Sequence, residues 1–200
     1  MLPPQALLHT YLRVDDIMGV AVRGLAGRTY VDKVDGGALK ILQAQQEASR
    51  CLCTCTCACT CTCHAHAYAH AMHMHMHMPM PLQAQDLTLP SFTDRVHIGP
   101  TDQPAADKDV LILTRRRSHL GCIYPQPLRA LAATTNSASI AGEAVPCDVV
   151  VWNPHAAASP TDLPPPAYLH FVCVEPGLVA AHHTLPEGRQ AVICQKIVPA

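Results

Sequence analysis

Large aromatic side chains are scarce in this sequence, whose 200 residues include two Phe and one Trp. Side chains of this size bury about 150 to 250 Å² each and dominate the energetics of ordinary cores. The hydrophobic fraction of 49% is raised instead by Cys, Ala and Met. Eighteen prolines interrupt helices and central strands. These two features predict that no large, well-packed core forms.

The sequence also lacks a charge bias, a long apolar run and a targeting signal. Fourteen basic and fifteen acidic side chains give a net charge of −1, which predicts no nucleic acid partner and no anionic membrane partner. No run approaches the ~18 apolar residues of a membrane span, and the first sixteen residues do not form a signal peptide. We therefore expect a cytoplasmic or nuclear protein. Its eleven cysteines, an odd number, would stay reduced there.

What the sequence does contain is a low-complexity tract over residues 51–80, made of three blocks that alternate with period two. The blocks read CLCTCTCACTCTC, HAHAYAHA and MHMHMHMPM. A single hexanucleotide, TGCACA, accounts for all three when it is repeated and read in its three frames, because TGC-ACA encodes Cys-Thr, GCA-CAT encodes Ala-His and CAC-ATG encodes His-Met. We interpret the tract as a translated simple-sequence DNA repeat, and this interpretation leaves the function of the protein unknown.

An alternative function is the binding of soft metal ions by the tract, since thiolate and imidazole ligands suit Cu(I) and Zn. The Cys-x-Cys step resembles that of metallothioneins, although here a single spacing is repeated throughout. No cofactor is predicted beyond adventitious Cu or Zn. The candidate metal ligands are Cys51, Cys53, Cys55, Cys57, Cys59, Cys61, Cys63, His64, His66, His70, His73, His75 and His77.

A third function is suggested by Pro165, Pro166 and Tyr168, which follow another proline. Together with the alanine between them they resemble the PPxY ligand of WW domains. Such ligands dock as a preformed polyproline II segment with the tyrosine in an aromatic groove. The resemblance implies an interaction adaptor whose partner carries a WW domain.

Residue types for thiol catalysis are present, but no motif arranges them. Cys147, Cys173 and Cys194 could act as nucleophiles, and several histidines lie in the same half of the chain. No flanking motif orients a nucleophile towards a base, and no glycine-rich phosphate loop occurs. The sequence therefore predicts that the protein is not an enzyme.

Regular structure is expected in two places only. Good helix formers follow Asp35-Gly36-Gly37 and predict one helix near 38–50. Short apolar runs within 109–198 predict strands of a small, loose sheet at Val110–Leu113, Val149–Trp152, Leu169–Val174 and Ala191–Val198. The predicted fold class is a largely disordered, low-complexity chain with at most this small α+β set.

These patterns divide the chain into four predicted segments. They are residues 1–50 with the one helix, the tract 51–80, a polar linker 81–108 punctuated by proline, and a loose strand-rich and proline-rich segment 109–200.

Overall fold

The structure, a computed structural model, describes residues 5–42, 86–101, 110–115 and 128–200. Two short 3-10 turns, Ile17–Gly19 and Ala167–His170, accompany the strands in these ranges. In chain order the strands are β1 (Ala6–Leu7), β2 (Tyr11–Arg13), β3 (Ala21–Arg23), β4 (Thr29–Asp32), β5 (Ala38–Ile41), β6 (Leu87–Thr88), β7 (Thr93–His97), β8 (Val110–Arg115), β9 (Leu128–Ile140), β10 (Glu143–Val145), β11 (Asp148–Asn153), β12 (Phe171–Leu178) and β13 (Ala191–Pro199).

The strands form two antiparallel sheets. The first sheet has seven strands in the order β1-β12-β11-β7-β4-β5, with β2 also paired to β12. The second has six in the order β10-β9-β8-β3-β6, with β13 paired to β9. β1 and β2 pair with successive stretches of the same edge of β12, so residues 6–13 are held against residues 171–178.

The core lies between the sheets and consists of aliphatic side chains. Alternate residues of β11 and β12, Val149, Val151, Val172 and Val174, are at most 2% exposed and join one cluster with residues of the second sheet such as Ile112. Alternation places every second strand residue on the same face, and full burial of each such side chain contributes roughly 1.5 to 3 kcal/mol. Valine and isoleucine therefore supply the burial that aromatic residues usually supply.

The predicted fold class is wrong: the described part of the chain is a well-ordered, strand-rich antiparallel structure. Scarcity of aromatic residues does not prevent a core, because β-branched aliphatic side chains pack well on pleated sheets. Many prolines also lie outside the strands, where a missing N–H removes no sheet hydrogen bond.

The predicted helix near 38–50 is contradicted over its first turn, because Ala38–Ile41 forms β5 and pairs with β4. Gly36 and Gly37 have φ values of 59° and 82°, and the Gly37 N–H donates to the Asp32 carbonyl. Positive φ at consecutive glycines is typical of a tight hairpin turn. The glycine pair thus connects two strands rather than preceding a helix; residues 43–50 lie outside the described ranges.

The four predicted strands are present as β8, β11, β12 and β13. They are shared between two extensive sheets, so the expectation of one small, loose sheet is wrong. The segment 81–108, predicted to be a linker, contributes β6 and β7. The division into four segments stays a prediction. No helix in the described ranges is long and apolar enough to cross a membrane.

His97 on β7 is an unusual member of the interior. Its side chain is fully buried, its ring centroid lies 5.1 Å from that of Tyr30, and neither ring nitrogen has a hydrogen-bond partner among the described residues. Burial lowers the pKa of His97 to about 3, and the nearby charges of Arg95 and Arg28 act in the same direction. The ring is therefore neutral in the folded state at ordinary pH.

We predict that His97 makes the stability of the protein depend on pH. Its ordinary pKa is 6.5 and its folded-state pKa is about 3, so the unfolded chain binds more protons between these values. The free energy of unfolding should be at its full value above about pH 6.5 and fall towards lower pH by at most ~1.4 kcal/mol per pH unit. His97→Leu should flatten the pH dependence, measured by urea unfolding between about pH 4 and 7.

The matched control for that measurement is His182→Leu, because His182 is exposed. Its stability should follow the wild-type pH dependence. Parallel curves for His97→Leu and the wild type would show that the buried ring does not cause the dependence.

Asp148, at the start of β11, joins three parts of the fold. One carboxylate oxygen accepts the Gly99 N–H at 2.9 Å, and the other accepts the N–H groups of Val179 at 2.9 Å and Ala180 at 2.7 Å. The residue is only 4% exposed. A buried carboxylate that accepts several N–H groups is a costly group to alter, because each donor left without a partner lowers stability.

We predict that Asp148→Asn destabilises the protein by about 1 to 3 kcal/mol, since an amide offers only one accepting oxygen and leaves at least one buried N–H unpaired. Chemical unfolding monitored by circular dichroism would measure the change. Glu187→Gln, the same chemical change at an exposed position, should alter stability by less than about 0.5 kcal/mol. Equal effects of the two substitutions would contradict the role assigned to Asp148.

Candidate functional site

The candidate site lies on the face of the first sheet opposite to the core valines. Tyr11 pairs with Cys173, and Cys173 pairs with Trp152 on the next strand. Directly opposed residues of neighbouring strands point to the same side of a sheet, and residues two apart on one strand share that side. Glu175 therefore lies on this face with Cys173, while Val172 and Val174 point into the core.

His9 and Glu175 are the central pair of the site. Nδ1 of His9 lies 2.6 Å from Oε1 of Glu175, and the two side chains are 49% and 3% exposed, respectively. The two atoms are close but not aligned as a hydrogen bond, so Oε1 has no hydrogen-bond partner in the described part of the chain. An accessible imidazole is thus in contact with a carboxyl group that water hardly reaches.

The environment of Glu175 favours its neutral form. Burial raises the pKa of Glu175 to about 7, with a further increase from the charge of Asp94, while a hydrogen bond with Cys173 and the charge of Lys33 act in the opposite direction. A carboxyl group whose pKa is near neutrality can hold or release a proton under ordinary conditions. Perturbed pKa values of this size are concentrated at functional sites.

Cys173 is the third polar group. It is fully buried, and burial raises the pKa of its thiol, as do the charge of Glu175 and the hydrogen bond between the two side chains. The ligand atoms of His9, Cys173 and Glu175 all lie within 4.8 Å of one another. Because its thiol stays protonated, Cys173 is a poor nucleophile here.

Aromatic rings surround this polar group. The ring of Tyr11 stacks on that of His9 with centroids 4.8 Å apart and planes inclined by 9°. The ring of Trp152 meets both edge-on at 5.7 Å and 6.4 Å, and Phe171 lies 5.0 Å from Tyr11. Tyr11 is 49% exposed. The stacked contact limits how the imidazole can turn and leaves an accessible aromatic surface next to the buried acid.

The arrangement can transfer protons. When a carboxyl group in contact with one ring nitrogen of a histidine is ionised, its charge favours the imidazolium form of the ring. With Nδ1 against Glu175, the Nε2 atom of His9 is the nitrogen that can exchange a proton with a bound molecule. Stacking on Tyr11 keeps the ring in this position.

The metal ligands predicted from the sequence are not part of this site. They all lie in the tract, outside the described residues: Cys51, Cys53, Cys55, Cys57, Cys59, Cys61, Cys63, His64, His66, His70, His73, His75 and His77.

The residues of the predicted WW-domain ligand do lie in a described range. Pro165 and Pro166 are exposed, and Tyr168 is partly buried in the 3-10 turn before β12. The Tyr168 carbonyl accepts a hydrogen bond from Asn153, and its ring lies 5.8 Å from that of His155. Binding of a WW domain by these residues stays a prediction.

Sequence reasoning missed four of the five main residues of the site, namely His9, Tyr11, Trp152 and Glu175. For Cys173 the sequence indicates only a residue type suited to catalysis. One signal was available: Glu175 interrupts an apolar run, FVCVEPGL, all of which is buried. An acidic side chain within such a run indicates a buried carboxyl group, which requires a special environment.

Comparison with known proteins reveals a likeness of fold. The crystal structure of the candidate mutarotase YeaD from Salmonella typhimurium matches with a TM-score of 0.52 and 20% sequence identity, covering 100% of this chain and 47% of that one. The structure of HI1317 matches with a TM-score of 0.48 and 15% identity over 98% of this chain and 48% of that one. The fold therefore resembles that of the candidate mutarotase YeaD. The chain spans about half the length of both proteins. No family model matches the sequence, and no curated protein does so.

This likeness corrects several predictions. The ordered fold, which resembles that of a candidate enzyme, contradicts the interpretation of the chain as disordered and low-complexity. It also contradicts the functions predicted from the sequence, which were no function beyond a repeat-derived tract, metal binding by that tract, or an adaptor role. The prediction that the protein is not an enzyme is also wrong. That prediction relied on the absence of local motifs, whereas here the acid, the imidazole and the aromatic rings come from three separate strand regions.

Proposed function

We propose that the protein catalyses proton transfer on a reducing sugar and so interconverts its two anomers, which is the reaction called mutarotation. The observation that carries the proposal is the accessible imidazole of His9 held 2.6 Å from the buried carboxyl group of Glu175. The mutarotase-type fold is consistent with this chemistry. Fold alone does not define an activity, so the proposal depends on the site.

The chemistry needs a group that can take and return one proton. Nε2 of His9 removes the proton of the anomeric hydroxyl, and a carbonyl forms at the anomeric carbon. The bond from that carbon to the ring oxygen breaks with its electron pair on the ring oxygen, which takes a proton from water. Rotation of the open-chain aldehyde and the reverse sequence of steps then give the other anomer. Glu175 touches Nδ1 and stabilises the imidazolium that forms, so it is a positioning residue in this scheme.

The aromatic rings suit a sugar as the ligand. One face of a pyranose presents mainly C–H groups, and an aromatic surface buries these groups at little cost because both surfaces are apolar. Tyr11 is half exposed beside His9, and Trp152 lies against both. Hydroxyl groups at the rim of the sugar remain in contact with water.

We predict that His9→Ala reduces the acceleration of mutarotation by at least about 100-fold, because the proton acceptor is lost. The assay follows the approach of freshly dissolved α-D-glucose and α-D-galactose to anomeric equilibrium by polarimetry. Added imidazole should partly restore the rate to His9→Ala, beyond the rate of imidazole without protein. Glu175→Gln should lower kcat more than it raises KM, since it removes support for the imidazolium.

Two controls accompany this assay. His182→Ala replaces an exposed histidine outside the site and should keep the wild-type rate. Circular dichroism must show that each variant retains its strand content. Full activity in a folded His9→Ala variant would rule out the proposed role of the imidazole, and the absence of acceleration by the wild type with any aldohexose tested would rule out the proposed reaction.

A further inference from the structure

The His9, Cys173 and Glu175 side chains share a second property, which is that they form a set of metal ligands. One nitrogen, one sulfur and one oxygen lie within 4.8 Å of one another. Two of these side chains are buried, and the third is half exposed. The register of β12 fixes Cys173 and Glu175 on one side of the strand, and the β2 region brings His9 against them.

The separations are close to those of a coordination sphere. A tetrahedral zinc ion with ligands at 2.0 to 2.3 Å has ligand atoms roughly 3.3 to 3.6 Å apart. The His9–Glu175 contact, at 2.6 Å, would need to lengthen, and a separation as long as the 4.8 Å upper bound would need to shorten by about 1 Å. Because His9 and the Tyr11 ring stacked on it are both half exposed, the two rings can shift together without moving the core.

The chemistry of the ligand set also favours a metal. Imidazole, thiolate and carboxylate are the three protein ligand types that zinc accepts, and sites with three protein ligands keep a fourth position for water. Oε1 of Glu175 touches His9 but has no aligned hydrogen bond in the described ranges, so a cation would give this buried oxygen the polar partner that it lacks. Binding releases the proton of the Cys173 thiol and that of Glu175 where it is protonated, without any change of oxidation state.

We propose that His9, Cys173 and Glu175 bind a zinc ion, and that the bound ion inhibits the proton transfer assigned to this site. The inhibitory part of the proposal rests on the proposed function. A metal ion that takes Nδ1 and the Glu175 carboxylate separates the two groups that the proposed proton transfer uses together. Binding itself does not depend on the proposed function and can be measured separately.

The only tryptophan of the chain provides a local probe, because the Trp152 ring lies 5.7 Å from that of His9. Co²⁺ replaces Zn²⁺ in such sites and quenches tryptophan emission at short range. Titration of the full chain with Co²⁺ under reducing, oxygen-free conditions should reduce Trp152 emission at least twofold in a saturable manner. Excess Zn²⁺ should reverse the loss.

Variants separate this site from the ligand-rich tract at residues 51–80, which is unchanged in all of them. His9→Ala and Cys173→Ser should each remove the saturable quenching. Cys194→Ser and His182→Ala, at exposed positions, should keep it. His9→Ala changes a half-exposed side chain, so it tests the site even if Cys173→Ser does not fold. Quenching of wild-type size in a folded His9→Ala variant would overturn the proposed site.

Polarimetry supplies the second readout. If the proposal is correct, Zn²⁺ lowers the wild-type mutarotation rate at least tenfold and EDTA restores it. Saturable quenching with no mutarotation in any sample would support the metal site and refute the proposed function. Mutarotation that Zn²⁺ leaves unchanged, together with a flat Co²⁺ titration, would refute the metal site and leave the proposed function standing. Quenching without any effect of Zn²⁺ on the rate would overturn the inhibitory role.

Discussion

The alternation of side chains along β12 determines most of this structure. One side of the strand carries Val172 and Val174 into the core between the sheets, and the other carries Phe171, Cys173 and Glu175 to the site. A shift of one residue in the pairing of β12 would exchange the two sets and bury charge in the core. The apolar side therefore fixes the register, and the register in turn places the polar residues.

Burial of Glu175 is a cost to stability that the surrounding contacts offset only in part. A buried carboxyl group is destabilising unless it is paired and hydrogen-bonded, and its contact with His9 is close but poorly aligned. Folds tolerate buried charged groups where function requires them. Here the valine core provides the stability that offsets the burial of Glu175. His97, buried without hydrogen bonds in the described residues, is a second polar group of this kind in the same sheet.

Part of the fold was predictable from the sequence. The β-branched runs that became β8, β11, β12 and β13 were recognised because strand propensity and turn-forming flanks are local signals. The hairpin at Gly36 and Gly37 was not predictable, since glycines before good helix formers are compatible with a helix or a hairpin until the pairing of β4 with β5 is known. The assembly of two sheets depends on register between distant strands, which no single stretch of sequence specifies.

The site was less predictable, and the reason is the distance along the chain between its parts. His9 and Tyr11 come near the start, Trp152 and Glu175 near the end, and no spacing rule connects residues so far apart. Each of them alone is an ordinary polar or aromatic residue of a strand region. Only the pairing of β2 with β12 brings them together.

The pairing of β2 with β12 also determines when the site can form during translation. β1 and β2 leave the ribosome long before β12, although the edge that they occupy belongs to β12. Contacts between distant parts of a chain form slowly, because loop closure must precede them. Newly made chains therefore contain His9 and Tyr11 long before they have a partner strand, and these two strands stay open to pairing with other chains throughout translation. The contact between His9 and Glu175 cannot form until β12 has been made, so a ribosome that stalls before β12 releases a chain without it.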